Sequence, residues 1–143
     1  LAKEKHTQWS PDLIYFNNRE VKPTTGYYVQ KLYGQNAGSH YIPSQIILDN
    51  QDNRVKLRIG SSIVRDSKTG DVIVKLVNLL PVSVETEIQL PGIGSVQPSA
   101  VRTVLVGAPE STPLPVTDTI EVGTNFKQQL PAYSFTVIRL KTK

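Results

Sequence analysis

At 143 residues, with 38% hydrophobic and 20% charged content, the chain is long enough to bury a sizeable core and too apolar to remain disordered. It contains no cysteine, which excludes disulfides and thiolate metal sites, and it has no apolar run long enough to span a bilayer. The formal charge of +4 is spread over single basic residues with no run of five like charges, so neither a nucleic-acid nor a membrane partner is expected.

The first predicted element is a compact apolar run, Asp12 to Phe16, bounded by Pro11 and the pair Asn17-Asn18, which is the pattern of a buried strand. After a short loop, Thr24 or Thr25 supplies a hydroxyl able to cap the free amides of a helix. In that helix Tyr28 and Leu32, and Val29 and Tyr33, recur at four-residue spacing and form one apolar face. The stretch Gly34 to Gly38 provides residues that tolerate a left-handed stop. Strand, loop, helix and stop make one βα unit, which is not a domain by itself.

From about His40 the period changes to two. Tyr41, Ile42 and Ile46 to Leu48 suggest one or two strands around Pro43, and Val55, Leu57 and Ile59 alternate with Lys56 and Arg58 as a one-sided strand. Asp66 to Asp71 is rich in turn formers and closes a predicted hairpin. Val72 to Leu79 is almost wholly apolar and reads as a central strand. Val82 to Leu90 alternates cleanly with Ser83, Glu85, Glu87 and Gln89, and Ala100 to Val106 is a further strand. The three prolines of Ala108 to Pro115 predict a crossing loop. Thr119 to Val122, Phe126 to Leu130 and Ser134 to Leu140 complete the set. The expected fold class is therefore mainly β, an antiparallel jelly-roll-type β-sandwich preceded by a single strand-helix unit. The expected division is residues 1–38 for the βα unit and 39–143 for the sandwich.

Chemistry-bearing residues are sparse. Glu85 and Glu87 share a strand face, but Val84, Thr86 and Ile88 claim the buried side, so a catalytic pair is not expected there. Asp12, at the head of an apolar strand, suits capping or an ion pair. His6 and His40 lack the further ligands that zinc requires. Asp49 to Asn53 has neither the central glycine nor the distal glutamate of a calcium loop and reads as a polar turn. No nucleophile motif and no phosphate-binding glycine loop is present, so no cofactor and no metal is expected.

Four segments, in order, resemble one known family. They are Trp9 to Asn18, Thr25 to Gly38, Lys75-Leu76-Val77-Asn78, and Leu130-Pro131-Ala132-Tyr133-Ser134-Phe135-Thr136-Val137-Ile138-Arg139-Leu140. In them the chain resembles the end of the α-L-arabinofuranosidases of glycoside hydrolase family 51. Asn17 stands where the family carries Asp, and Gly26 where it carries Asn or Pro. The resemblance implies a (β/α)₈ barrel followed by a jelly-roll sandwich, with Trp9 to Phe16 as the eighth barrel strand and Thr25 to Tyr33 as the eighth helix. It also implies a retaining mechanism with two glutamates, carried on earlier barrel strands outside this chain. With no Met and a start at Leu1, the chain is expected to be an excised piece or a processed product.

On that resemblance the chain itself is expected to be inactive, and the parent enzyme to remove terminal α-L-arabinofuranosyl residues from arabinan or arabinoxylan. Its expected partners are its own catalytic barrel and, through the parent enzyme, plant polysaccharide. Family 51 enzymes occur inside cells and exported; an extracellular or periplasmic site is expected ahead of a cytoplasmic one. Trp9, Tyr27 and Tyr28 are the candidate contacts to sugar or barrel, with Tyr41 as a fourth ring of a conceivable sugar platform; packing is the favoured role of these rings. Removal of the barrel is expected to expose Leu13, Ile14, Tyr28 and Leu32 and to drive homo-oligomer formation. The alternative is a stand-alone carbohydrate-binding module, against which the scarcity of aromatics in the β region counts.

Overall fold

Strand β5 (Val72–Asn78) is apolar on both faces, and a sheet with two apolar faces needs a layer on each side. The computed structural model describes residues 13–107, 111 and 113–142, and it provides both layers. In chain order the elements are β1 (Ile14–Phe16), β2 (Val21–Pro23), α1 (Thr25–Gln35), β3 (His40–Ile42), α2 (Asn53–Lys56), β4 (Ile59–Arg65) and β5. They continue as β6 (Val84–Gln89), β7 (Val96–Val106), β8 (Val116–Glu121), β9 (Asn125–Leu130) and β10 (Ser134–Thr142).

Six strands form one antiparallel sheet in the order β3-β4-β5-β10-β7-β8, and β6 pairs with β9 in a second, two-stranded sheet. Because side chains alternate along a strand, each central strand feeds two cores. Ile63, Val72, Val74, Leu76, Ala100, Ile138 and Leu140 point toward the β6–β9 pair and pack with Ile88, Leu90 and Leu130. Val64, Ile73, Leu105, Phe135 and Val137 point the other way and pack under Leu32 of α1, with Tyr28 and Val29 against the same cluster. The fold is mainly β and antiparallel, as expected, with the helix as the outer cover of the larger sheet. Among the described residues no helix is long and apolar enough to cross a membrane.

Asn78 ties the turns of the two layers together. It is fully buried, and its Nδ2 donates to the carbonyls of Val82, Leu130 and Pro131 at 2.9, 3.2 and 2.9 Å. Its Oδ1 accepts from the Leu80 amide at 2.9 Å. One side chain thereby joins the turn after β5 to the end of β9 and the turn that follows it. At the adjoining turn Tyr133 sits at φ 49°, a left-handed conformation that costs a non-glycine residue energy.

Several expectations need correction. The expected burial of the Asp12 to Phe16 run fails in its described part: Leu13, Ile14 and Phe16 are exposed, Asp12 lies outside the described residues, and β1 pairs with β2 as a small hairpin where a loop was predicted. Tyr28 and Leu32 are not stripped of cover, because they face the sandwich sheet. Around Pro43 only β3 forms. Of the alternation Val55-Leu57-Ile59 only Ile59 is in a strand, as the first residue of β4: Asp52 caps the single turn α2, accepting from the Arg54 amide at 2.8 Å, and Leu57 is left 84% exposed. The proline-rich stretch lies in part outside the described residues, but the strands on either side of it, β7 and β8, are antiparallel neighbours in one sheet, so the chain does not change sheets there. The left-handed residue after α1 is Gly38 (φ 68°), two positions past the cap Asn36. A Cβ there would lie 2.6 Å from Val64 Cγ2, so glycine is required on both counts.

Candidate functional site

Of the three candidate contact residues, Trp9 lies outside the described residues. Tyr27 and Tyr28 are neighbours in the first turn of α1, which Thr24 starts by accepting from the Tyr27 amide at 3.4 Å. The Thr24 hydroxyl also donates to the Leu13 carbonyl at 2.9 Å, fixing the β1–β2 hairpin to the helix start. The two rings meet edge to face at 5.2 Å and 76°. Tyr28 turns into the core under the helix, whereas Tyr27 stays at the flank with Lys31 Nζ 5.9 Å from its ring centre. Tyr41, 65% exposed on the edge strand β3, has no recorded ring contact with either of them among the described residues. The three described tyrosines are thus not assembled into one flat platform.

Carboxylates are arranged for structure. Glu85 and Glu87 project from the solvent face of β6, with Glu85 Oε1 3.0 Å from Lys127 Nζ on β9. The Gln89 and Asn125 side chains hold the Glu87 carboxyl below the usual carboxylate range. Asp118 accepts from Arg102 in a two-pronged pair that lowers its pKa. Asp66 is lowered by the Lys68 amide and then by Arg139, whose Nη2 lies 3.0 Å from Asp66 Oδ2. Arg139 Nε approaches Asp71 Oδ2 to 3.3 Å without hydrogen-bond alignment, so that contact is one of charge alone. Asp52 is lowered by Arg54.

A glycosidic acid/base needs a carboxyl shifted upward, near a second one about 5 Å away. Every shifted carboxyl in this set moves down, each toward a donor of its own. Among the described residues no group of three or more His, Asp or Glu side chains is placed to hold a metal ion. An open hollow of about 320 Å³, lined by Gln45, Ile46, Ile47, Leu48, Gln51, Lys56 and Ile59, contains no carboxylate. The sequence reading missed two residues with special surroundings, Lys75 and Asn78. Their signal was present, since they are the two polar interruptions of Val72 to Leu79.

No protein-family model matches the chain. Its structure matches the arabinose-bound α-L-arabinofuranosidase MgGH51 with a TM-score of 0.84 and 30% identity, over 99% of this chain and 23% of that one. In sequence and fold the chain is similar to part of a family 51 α-L-arabinofuranosidase. A 45-residue segment is 47% identical to an extracellular exo-α-L-arabinofuranosidase of Streptomyces chartreusis, which covers 32% of this chain and 6% of that protein. The α-L-arabinofuranosidase of Thermotoga maritima, solved with arabinose, shares the fold at a TM-score of 0.72 and 14% identity, over 88% of this chain and 30% of that one. This chain therefore spans less than a quarter of the length of MgGH51, and a smaller part still of the curated relative.

Proposed function

We propose that the chain is the non-catalytic C-terminal part of a longer retaining α-L-arabinofuranosidase, and that its sandwich braces the catalytic barrel. The observation that carries this is the match to MgGH51 over nearly all of this chain and under a quarter of that one. Residues 1–38 would complete the barrel as its last βα unit, and residues 39–143 would be the accessory sandwich. The parent enzyme would release terminal α-L-arabinofuranosyl residues from arabinan or arabinoxylan. The name of the Streptomyces relative favours an extracellular parent. Downward-shifted carboxyls support the non-catalytic part of the reading, and the exposed Leu13, Ile14, Phe16 and Val21 of the hairpin support a barrel beside it.

The test is an NMR titration of the 143-residue chain with arabino-oligosaccharides, following backbone amides and the Trp9 indole, together with an assay on p-nitrophenyl α-L-arabinofuranoside. No turnover and no shifts up to millimolar ligand are expected. Saturable, localised shifts would replace the bracing role with that of a carbohydrate-binding module. Turnover by the chain alone would refute the non-catalytic role.

A further inference from the structure

Lys75 is a charged residue in the middle of the central strand, 4% exposed. In register it lies between Ser62 of β4 and Val137 of β10, on the sheet face that α1 covers in part. Its one recorded partner is the ring of Tyr33, whose centre lies 5.1 Å from Nζ; that ring stacks on Phe135 at 4.8 Å and 9°. Burial pushes its pKa down.

Among the described residues the surroundings supply no anion. Helix α1 has no acidic residue, and Gly60, Ser62 and Val64 are what β4 presents to this face. From β10 come Phe135, Val137 and the cation Arg139, which takes up both Asp66 and Asp71 at the far end of the sheet. A sandwich designed to stand alone would gain by an apolar residue here, since a buried cation without a partner carries its desolvation cost uncompensated.

The ammonium is nevertheless not sealed in. Among the described residues Thr136 Oγ1 and Arg139 Nε are the enclosed side-chain atoms without a hydrogen-bond partner, and the Tyr33 ring over Nζ is itself exposed, so the ammonium lies close to the surface beside α1. The floor next to it is made of the small residues Gly60 and Ser62, both half-buried. Tyr33, Tyr41 and Leu79, all exposed, stand around that floor. A low floor, an apolar rim and one unpaired cation are the features of a seat for a protein element that carries a single carboxylate.

We propose that Lys75 receives an Asp or Glu side chain of the catalytic barrel, making an ion pair between barrel and sandwich at the edge of α1. This rests on the proposed function. The barrel is the occupant the comparison favours: the match takes up 23% of MgGH51, so most of that protein lies outside it, and α1, β4 and β10, the elements around Lys75, offer it no free carboxylate among the described residues. The segment that leads into α1, the β1–β2 hairpin with its exposed apolar side chains, is the part of the chain assigned to that barrel.

The sign of one substitution in two contexts tests it. Lys75→Met keeps the stem and removes the charge. In the 143-residue chain it is expected to raise the Tm or leave it unchanged. In the full-length protein it is expected to lower the Tm by about 2 to 4 °C, because a barrel carboxylate is left buried and alone. The same direction of change in both contexts would overturn the proposal. As a second readout, acetic anhydride with mass spectrometry should label Lys75 in the chain and spare it in the full-length protein; equal labelling overturns the proposal. Saturable shifts near Lys75 on titrating the chain with galacturonate would assign the seat to a sugar acid, and a dimer that Lys75→Met dissolves would assign it to a second copy; either refutes the barrel. Arabinofuranosidase activity of the full-length protein is measured separately, so a failure of the family reading is distinguishable from a failure at Lys75.

Discussion

The sandwich and the segment before it are held by different means. Sandwich strands bury side chains on both faces of β5 and β10, and their turns are fastened by Asn78. The β1–β2 hairpin and α1 attach through one helix face, with Leu32 as its sole buried side chain, and leave Leu13, Ile14, Phe16 and Val21 exposed. The first region contains its own stabilisation; the second is held along one helix face and leaves an apolar surface open. The difference teaches that a change in one region need not be felt equally by the other.

The largest expected effect lies in the sandwich. Asn78→Ala strands the carbonyls of Val82, Leu130 and Pro131 and the Leu80 amide. Two amide hydrogens serve three carbonyls, so at least one bond is shared and the losses do not simply add. With each stranded group costing ~1–3 kcal/mol, a total near ~4 kcal/mol is expected in urea unfolding. A loss below ~1 kcal/mol would mean that water enters these turns and the side chain is no clamp. Asn78→Asp should be as harmful, because a carboxylate accepts but does not donate to carbonyls.

Next comes Leu32→Ala, which removes the buried anchor of α1 and should cost about 2–3 kcal/mol. Its signature is regional. Hydrogen exchange should accelerate in α1 and the β1–β2 hairpin while β5 and β10 keep their protection. Uniform acceleration would break the comparison and make the whole chain one cooperative unit.

How far the sequence revealed these two regions follows from the kind of signal each sends. Period-two alternation in Val84 to Ile88 and the apolar run Val72 to Asn78 survive in the structure because burial on a sheet enforces that period. Thr24 is the cap that the threonines announced. The alternation Val55-Leu57-Ile59 misled, because the carboxyl of Asp52 captures the Arg54 amide and a local cap outweighs a three-residue pattern. The apolar run ending at Phe16 signalled burial, yet its side chains are exposed in this chain. Hydrophobicity records that a residue is to be covered without saying by what. For the candidate site, composition excluded disulfides and thiolate metal sites, whereas Lys75 needed three-dimensional neighbours before its isolation was visible.

A smaller effect, of opposite sign, sharpens the claim that the sandwich core is complete. Thr136 on β10 is buried with Oγ1 unpartnered among the described residues. Thr136→Val replaces that hydroxyl with a methyl group of the same shape and should stabilise the chain by about 1 kcal/mol. A destabilised variant would reveal an ordered water on Oγ1, detectable as a hydroxyl proton protected from exchange.

The smallest expected effect is the acid response, and it too separates the regions. Asp52, Asp66, Glu87 and Asp118 all have lowered pKa values and all lie after residue 39, in or beside the sandwich. A carboxyl lowered on folding stabilises the fold fully above its unfolded pKa, about 4, and loses that contribution as pH falls through its folded value. The Tm should therefore be flat above about pH 4 and decline below it. Asp118→Asn removes one such group, so its Tm should start lower near neutrality and converge on the parent's as acid protonates the same carboxyl. Because the Asp118–Arg102 pair is partly exposed, 0.5 M salt should screen part of the difference. If the curves stay parallel down to about pH 2, the Asp118–Arg102 contact works through hydrogen-bond geometry alone and charge has no share in it.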